Sequence, residues 1–202
     1  AVLKLGVTTD SGDAEGKVTA TSTVNTEKAE ILKLLPQFTG DILQTPPMHS
    51  ALKRDGRPLY ELARQGIEIE REARAVTIHA IDLLDFAGDS LTLRVACSKG
   101  TYIRVLAADI GAALGCGAHL TALRRTRVGD LDLDGALTLA ELEALDEAGR
   151  TARLKPVDAL LHTLPIMTVE GEAAQRFSHG NPVDLPVGLS GKIRVYENGK
   201  LI

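Results

Sequence analysis

Aromatic side chains are scarce in this sequence: Phe, Trp and Tyr make up 3% of 202 residues, and Trp is absent. The core must therefore be aliphatic, built from Leu, Val, Ile and Ala. Cysteine is scarce too. Cys97 and Cys116 form no C-x-x-C pair and no ligand-spaced cluster with His49, His79, His119, His162 or His179, which excludes a disulfide scaffold and a zinc module. Cys97 lies in an alternating apolar pattern and reads as core. Two unpaired thiols suit a reducing cytoplasm. No apolar run approaches the ~18 residues of a membrane span, and no signal-peptide pattern occurs. A soluble, cytoplasmic protein with no membrane partner is expected. Also missing are the G-x-S-x-G, P-loop, H-E-x-x-H, G-x-G-x-x-G and zinc-deaminase patterns. Those hydrolase, nucleotide-binding and metalloenzyme classes are thereby set aside, and no metal or small-molecule cofactor is expected.

What is present supports a packed domain. Hydrophobic residues make up 44% of the chain, which argues against disorder. The net charge of −4, taken globally, speaks against a nucleic-acid partner. Its distribution speaks the other way. Residues 98–129 carry Lys99, Arg104, Arg124, Arg125 and Arg127 against Asp109 alone, whereas residues 130–172 carry ten acids against Arg150, Arg153 and Lys155. Such segregation suits a polyanion-binding face with a repelling back, although chance clustering gives the same pattern.

Along the chain, residues 1–6 read as a strand, Thr8 to Gly16 as a polar turn, and Lys17 to Val24 as a second strand. Asn25-Thr26 offers an N-cap for a helix that runs to Pro36. Residues 39–58 lack periodicity and read as a long ordered loop or arm, followed by a short helix over Leu59–Arg64 that Gly66 ends. Residues 74–86 and 90–97 read as two strands joined at Gly88-Asp89, and an amphipathic helix runs from Tyr102 to about Leu114. Leu120 to Val128 reads as a strand carrying Arg124 and Arg125. Thr138-Leu139-Ala140-Glu141 is a capping-box pattern opening a helix to about Ala148, and Pro156–Leu161 adds a turn. Beyond residues 162–165, short strands at Ile166–Val169 and Lys192–Tyr196 flank a brief amphipathic segment, giving a small β-rich module. Both ends read as cut, with Ala1-Val2-Leu3-Lys4-Leu5 opening mid-strand and Lys200-Leu201-Ile202 stopping on apolar residues, so a fragment is expected.

Chemistry concentrates at Ser98-Lys99-Gly100-Thr101-Tyr102-Ile103-Arg104. There a strand end passes directly into a helix start, whose free N–H groups attract anions. A guanidinium in the first turn can fork onto a carboxylate or phosphate. An ordinary strand–turn–helix joint with a solvated arginine has the same spacing. Asp10 and Asp13 can act as an acid/base pair but are more commonly Asx-turn caps; their functional reading is indirect, with Asp13 bracing Arg104 from behind. His49, in the basic loop, is the one histidine placed near a substrate.

Three blocks resemble the TruB family of tRNA pseudouridine synthases: Leu5-Gly6 to Thr9-Asp10 with Asp13 and Gly16; Gln44-Thr45-Pro46-Pro47-Met48-His49-Ser50-Ala51-Leu52-Lys53 through Gly56, Leu59-Tyr60-Glu61 and Ala63-Arg64-Gln65-Gly66; and Ser98 to Arg104 with Asp109, Gly111, Leu114 to His119 and Leu123-Arg124-Arg125. The resemblance implies base flipping and isomerisation of the T-loop uridine at position 55 of tRNA, by an aspartate nucleophile and without a cofactor. It implies that Arg104 ion-pairs with that aspartate, that Asp13 holds Arg104, and that Leu123 walls the uracil pocket. His49 (where many relatives have Tyr), Lys53, Arg57, Arg64, Lys99, Tyr102, Arg124 and Arg125 are implied RNA contacts, with Lys53, Arg57 and Arg64 on an inserted arm that grips the T-stem loop. The nucleophile belongs to a Gly-x-x-Asp-Pro-like loop that no segment here matches, so the chain as given is expected to bind RNA weakly and catalyse nothing.

The fold expected is α+β: a mostly antiparallel mixed sheet with flanking helices, in a catalytic domain over 1–161 that is truncated at its N-terminus and carries the arm at about 27–75. A partial RNA-binding module similar to a PUA domain follows over 162–202. The partner expected is tRNA, and the state a monomer. The rivals are a non-catalytic RNA-binding or RNA-folding module, and a soluble scaffold without a ligand.

Overall fold

The computed structural model describes residues 1–54, 56–184 and 186–202. They group into two compact units, Ala1–Arg124 and Arg125–Ile202.

In the first unit, β1 (Val2–Leu5) turns at Gly6 into β2 (Val7–Thr9), which pairs with β3 (Val18–Thr21). Helix α1 (Lys28–Leu34) runs into a 3₁₀ turn over Leu35–Phe38. Strand β4 (Gly40–Gln44) follows, then the short pair β5 (Lys53–Arg54) and β6 (Arg57–Pro58), and α2 (Leu59–Arg64). Strands β7 (Arg74–Ala87) and β8 (Ser90–Cys97) form the long hairpin, α3 (Ile103–Ala113) crosses back, and β9 (Ala118–Ala122) closes the sheet. The order is β4-β7-β8-β1-β9, with every neighbouring pair antiparallel.

Alternation decides which face packs. Leu3 and Leu5 on β1 and Leu91 and Leu93 on β8 point to one side and are almost fully buried. They meet Leu106, Ala107 and Ile110 from α3, with Ile31, Leu35, Ile78, Cys116, Ala118 and Leu120 completing the cluster. Each such large aliphatic side chain contributes roughly 2 kcal/mol through burial. The core is aliphatic, as the composition requires, and Cys97 packs at its edge. Contact between α3 and β9 is close enough that a Cβ on Gly111 would overlap the backbone of Gly117 and Ala118.

In this unit three local expectations change. Residues 40–44 are an edge strand rather than loop. Their polarity is inverted: Leu43 is exposed while Gln44 is buried, so no period-two apolar signal shows. The strand read over Leu120–Val128 ends at Ala122, because β1 offers its last register pair at Val2↔Ala122; Arg124 and Arg125 lie beyond it. The N-cap of α1 is Glu27, whose N–H donates to Glu30 Oε2 at 3.0 Å, and not Asn25-Thr26.

The second unit opens with the pair β10 (Arg127–Val128) and β11 (Leu131–Asp132). The helix read to Ala148 is two, α4 (Leu139–Ala144) and α5 (Glu147–Ala152), split where Asp146 accepts the Gly149 N–H at 2.7 Å and starts the second. Residues 156–161 form hydrogen-bonded turns without a helix. Strand β12 (Ile166–Thr168), α6 (Gly171–Ser178), β13 (Arg194–Glu197) and β14 (Lys200–Leu201) make a small three-stranded module over Met167, Val169, Ala174 and Val195. Among the described residues no helix is long and apolar enough to cross a membrane.

Candidate active site

Strand β8 delivers residues 98–101 to a tight reversal. Ser98 Oγ accepts the Thr77 N–H at 3.0 Å, Thr101 Oγ1 donates to Ser98 O at 2.9 Å, and Gly100 adopts φ +87°. That left-handed conformation suits glycine, which has no Cβ to clash. Tyr102 is then the N-cap of α3, and Arg104 follows in its first turn.

The polar loop after β2 is pinned against this helix start. Leu120 N–H donates to Gly12 O at 3.0 Å, and Lys17 N–H donates to Asp10 Oδ1 at 2.9 Å. Asp10 thus caps its own turn, while Asp13 faces Arg104. Asp13 Oδ1 accepts from Ser11 Oγ at 2.6 Å and from the Glu15 N–H at 3.2 Å; its Oδ2 accepts from Arg104 Nη1 at 2.8 Å. Burial raises the Asp13 carboxyl's pKa, but the hydrogen bonds from Ser11, Arg104 and Glu15, with the charge of Arg104, outweigh it and hold the group below its ordinary value.

Three acceptors on two segments hold Arg104. Nη1 donates to Asp13 and, at 3.4 Å, to Ser11 O, while Nη2 donates to His49 O at 2.6 Å. The side chain is 24% exposed. No described residue accepts from Nε. The guanidinium is therefore fixed from behind, with a donor left for an incoming anion.

The remaining sequence candidates fall into groups. His49 reaches Arg104 through its carbonyl rather than its ring. Lys53 and Arg57 stand exposed on β5 and β6, and Arg64 lies over the Tyr60 ring at 5.5 Å on α2. Lys99 is exposed in the turn before α3, and Tyr102 is half-buried. Leu123, 56% exposed, and Arg124 follow β9; Arg125 opens the second unit, also exposed. Sequence reading missed the roles of Ser11 and Gln44. Gln44 is 2% exposed and bonds the main chain of Tyr102 through both ends of its amide. Its place in the Gln44-Thr45-Pro46-Pro47 block was the available signal.

Two family models cover most of the chain: the TruB family pseudouridylate synthase N-terminal domain over residues 1–103, and the tRNA pseudouridylate synthase B C-terminal domain over residues 104–162. The tRNA pseudouridine synthase B of Dechloromonas aromatica (strain RCB) is 74% identical over 202 residues, covering all of this chain and 68% of that protein. The enzyme of the same name from Aromatoleum aromaticum is 51% identical, with all of this chain and 66% of that protein covered. In fold, the chain matches one from the crystal structure of a Cbf5-Nop10-Gar1 complex, with a TM-score of 0.68 at 24% identity, over 100% of this chain and 56% of that one. With the Asp13–Arg104 pair set on an antiparallel sheet of this topology, the chain belongs to the TruB family of pseudouridylate synthases.

Proposed function

We propose that the protein isomerises uridine to pseudouridine in the T-loop of tRNA, at position 55, with Arg104 as the cation that holds the nucleophilic aspartate ionised. The observation that carries this reading is the triple anchoring of a part-buried guanidinium with Nε left free. Asp13 keeps that guanidinium in one direction, and Asp13 is itself held by Ser11 and Glu15, so the guanidinium is a fixed donor rather than a mobile one. A carboxylate arriving at Arg104 is favoured in its ionised, nucleophilic form. The reaction breaks the bond from C1′ of the ribose to N1 of the base and makes one from C1′ to C5, while C5 gives up its proton and N1 takes one on. The same atoms are kept and no net electrons move. The aspartate is assigned to a Gly-x-x-Asp-Pro-like loop that no part of residues 1–202 matches.

The target base is stacked in folded RNA, so it must be extruded, and recognition reads shape and backbone. We assign Leu123 as the apolar wall beside the flipped base. Lys53, Arg57 and Arg64 are assigned to phosphate contact from the part of the 27–75 segment that lies between β4 and β7, since Ile31 and Leu35 belong to the core and β4 to the sheet, and His49, Lys99, Tyr102, Arg124 and Arg125 are assigned to the RNA around the site. The module over 162–202 is assigned as a partial PUA-like RNA contact. The free thiols Cys97 and Cys116 suit cytoplasmic work, and a monomer suffices for this chemistry.

Arg104→Ala in the intact protein is the direct test. Turnover of uridine in a T-arm hairpin should fall by about 10³-fold while hairpin affinity changes little. Equal losses in rate and affinity would reduce Arg104 to a phosphate contact and favour a non-catalytic RNA-binding protein.

A further inference from the structure

We propose that Gln44 is a positioning residue for Arg104: its amide caps α3 from another strand and thereby sets the direction in which the guanidinium leaves the helix. The inference rests on the activity proposed above.

A helix start leaves its first N–H groups without partners. A capping box satisfies two of them with the helix's own side chains, at the N-cap and three residues on. Helix α3 can do neither. Its N-cap is Tyr102, which makes no side-chain cap bond, and the third residue of its first turn is Val105. Gln44 supplies the missing half from 58 residues away: Oε1 accepts the Tyr102 N–H at 3.0 Å, and Nε2 donates to Tyr102 O at 3.3 Å. Tyr102 O also accepts the first helical bond, from the Leu106 N–H at 3.1 Å. Gln44 thus holds the peptide group from which the first turn is wound.

Gln44 is itself fixed. It closes β4, in register opposite Arg74, and is 2% exposed, so water cannot replace its bonds. Five residues on, the His49 carbonyl takes Arg104 Nη2, and Arg71 Nη1 holds the intervening strap by donating to Pro46 O at 3.3 Å. Residues 44–50 therefore touch the start of α3 at its N-cap peptide and at its arginine. A rotation of the first turn moves Arg104 relative to Asp13 and the strap together, and small displacements of a reacting group are expensive in rate.

The test uses the intact protein with a saturating T-arm hairpin in single turnover. Gln44→Ala should slow pseudouridine formation by about 100-fold and leave the hairpin Kd within about threefold. Gln44→Glu keeps the size and the acceptor but, when ionised, turns a bare oxygen toward Tyr102 O. Protonated, the new carboxyl regains the donor. Burial raises the pKa of a carboxyl at this position, so the rate of the Gln44→Glu variant relative to wild type should climb as the pH is lowered from about 8 to about 5. Recovery of rate with the hairpin Kd and the folded fraction unchanged across that range separates positioning from a purely structural role, and the charge variant carries the test if the alanine variant unfolds. Equal losses in rate and affinity, or a relative rate flat with pH, overturn the proposal. A wild-type protein that makes no pseudouridine instead overturns the activity on which it rests, whereas an active wild type with unaffected Gln44 variants overturns the positioning role alone.

Discussion

Helices α3 and α4 begin in opposite ways. Helix α4 carries its own start: Thr138 Oγ1 accepts the Glu141 N–H at 3.2 Å, and the Thr138 N–H donates to Glu141 Oε2 at 2.7 Å. Everything needed lies within four residues, and no residue of α4 is buried. Helix α3 makes no side-chain cap of its own, buries Leu106, Ala107, Ile110 and Gly111, and has its first turn held by Gln44, Asp13 and His49. A local cap suffices where a helix only has to exist. A helix that must aim a charge is referenced to several distant segments, because one local bond leaves its rotation free.

The largest expected effect tests the seat of α3. Gly111→Val should destabilise the first unit by about 3 kcal/mol, since its added atoms meet main chain rather than a flexible side chain. Thermal melting read in the Ala1–Arg124 unit checks this, and an unchanged melting temperature would mean that α3 is not seated against β9 as described.

Asp13→Asn is expected to be milder, about 1 kcal/mol near neutral pH, because the ion pair with Arg104 is partly exposed. Its pH dependence sharpens the contrast. The Asp13 pKa is lowered in the folded protein, so its stabilisation is full above the ordinary value of about 3.9 and drains away as pH falls through the lower folded value. Denaturant titrations of the two proteins should therefore converge below about pH 4. A gap that persists in acid would show that the pair's charge is not what stabilises the loop.

Thr138→Ala should have the smallest reach. Losing a cap costs about 1 kcal/mol or less here, and hydrogen exchange should speed up in Leu139–Ala144 while α3 keeps its protection. Matching acceleration in both helices would erase the distinction between them.

How far each start could be seen in the sequence follows the same line. The Thr138-x-x-Glu141 pattern is contiguous and legible, as are the β7–β8 hairpin and the apolar stripe of α3. The Arg104–Asp13 pair was legible only in part. Residue types and the family resemblance suggested it, but the two lie 91 positions apart and meet only once the chain between them has folded. Strand β4 and the role of Gln44 were hidden because the strand turns Leu43 out and Gln44 in, the reverse of what a hydrophobic pattern reports. His49 was singled out for its ring, whereas the structure employs its carbonyl, a group every residue has and no sequence pattern can mark.

By itself, the sequence determined the aliphatic core, the order of strands and helices around residues 74–114, and the family, since each depends on composition, local period or contiguous motifs. Only the tertiary structure decided that His49 meets the arginine through its carbonyl, what caps α3, and where β9 stops. Those outcomes depend on which backbone groups are left unpaired once the sheet has formed, and the partner that satisfies them comes from whichever distant segment the packing brings within hydrogen-bond reach.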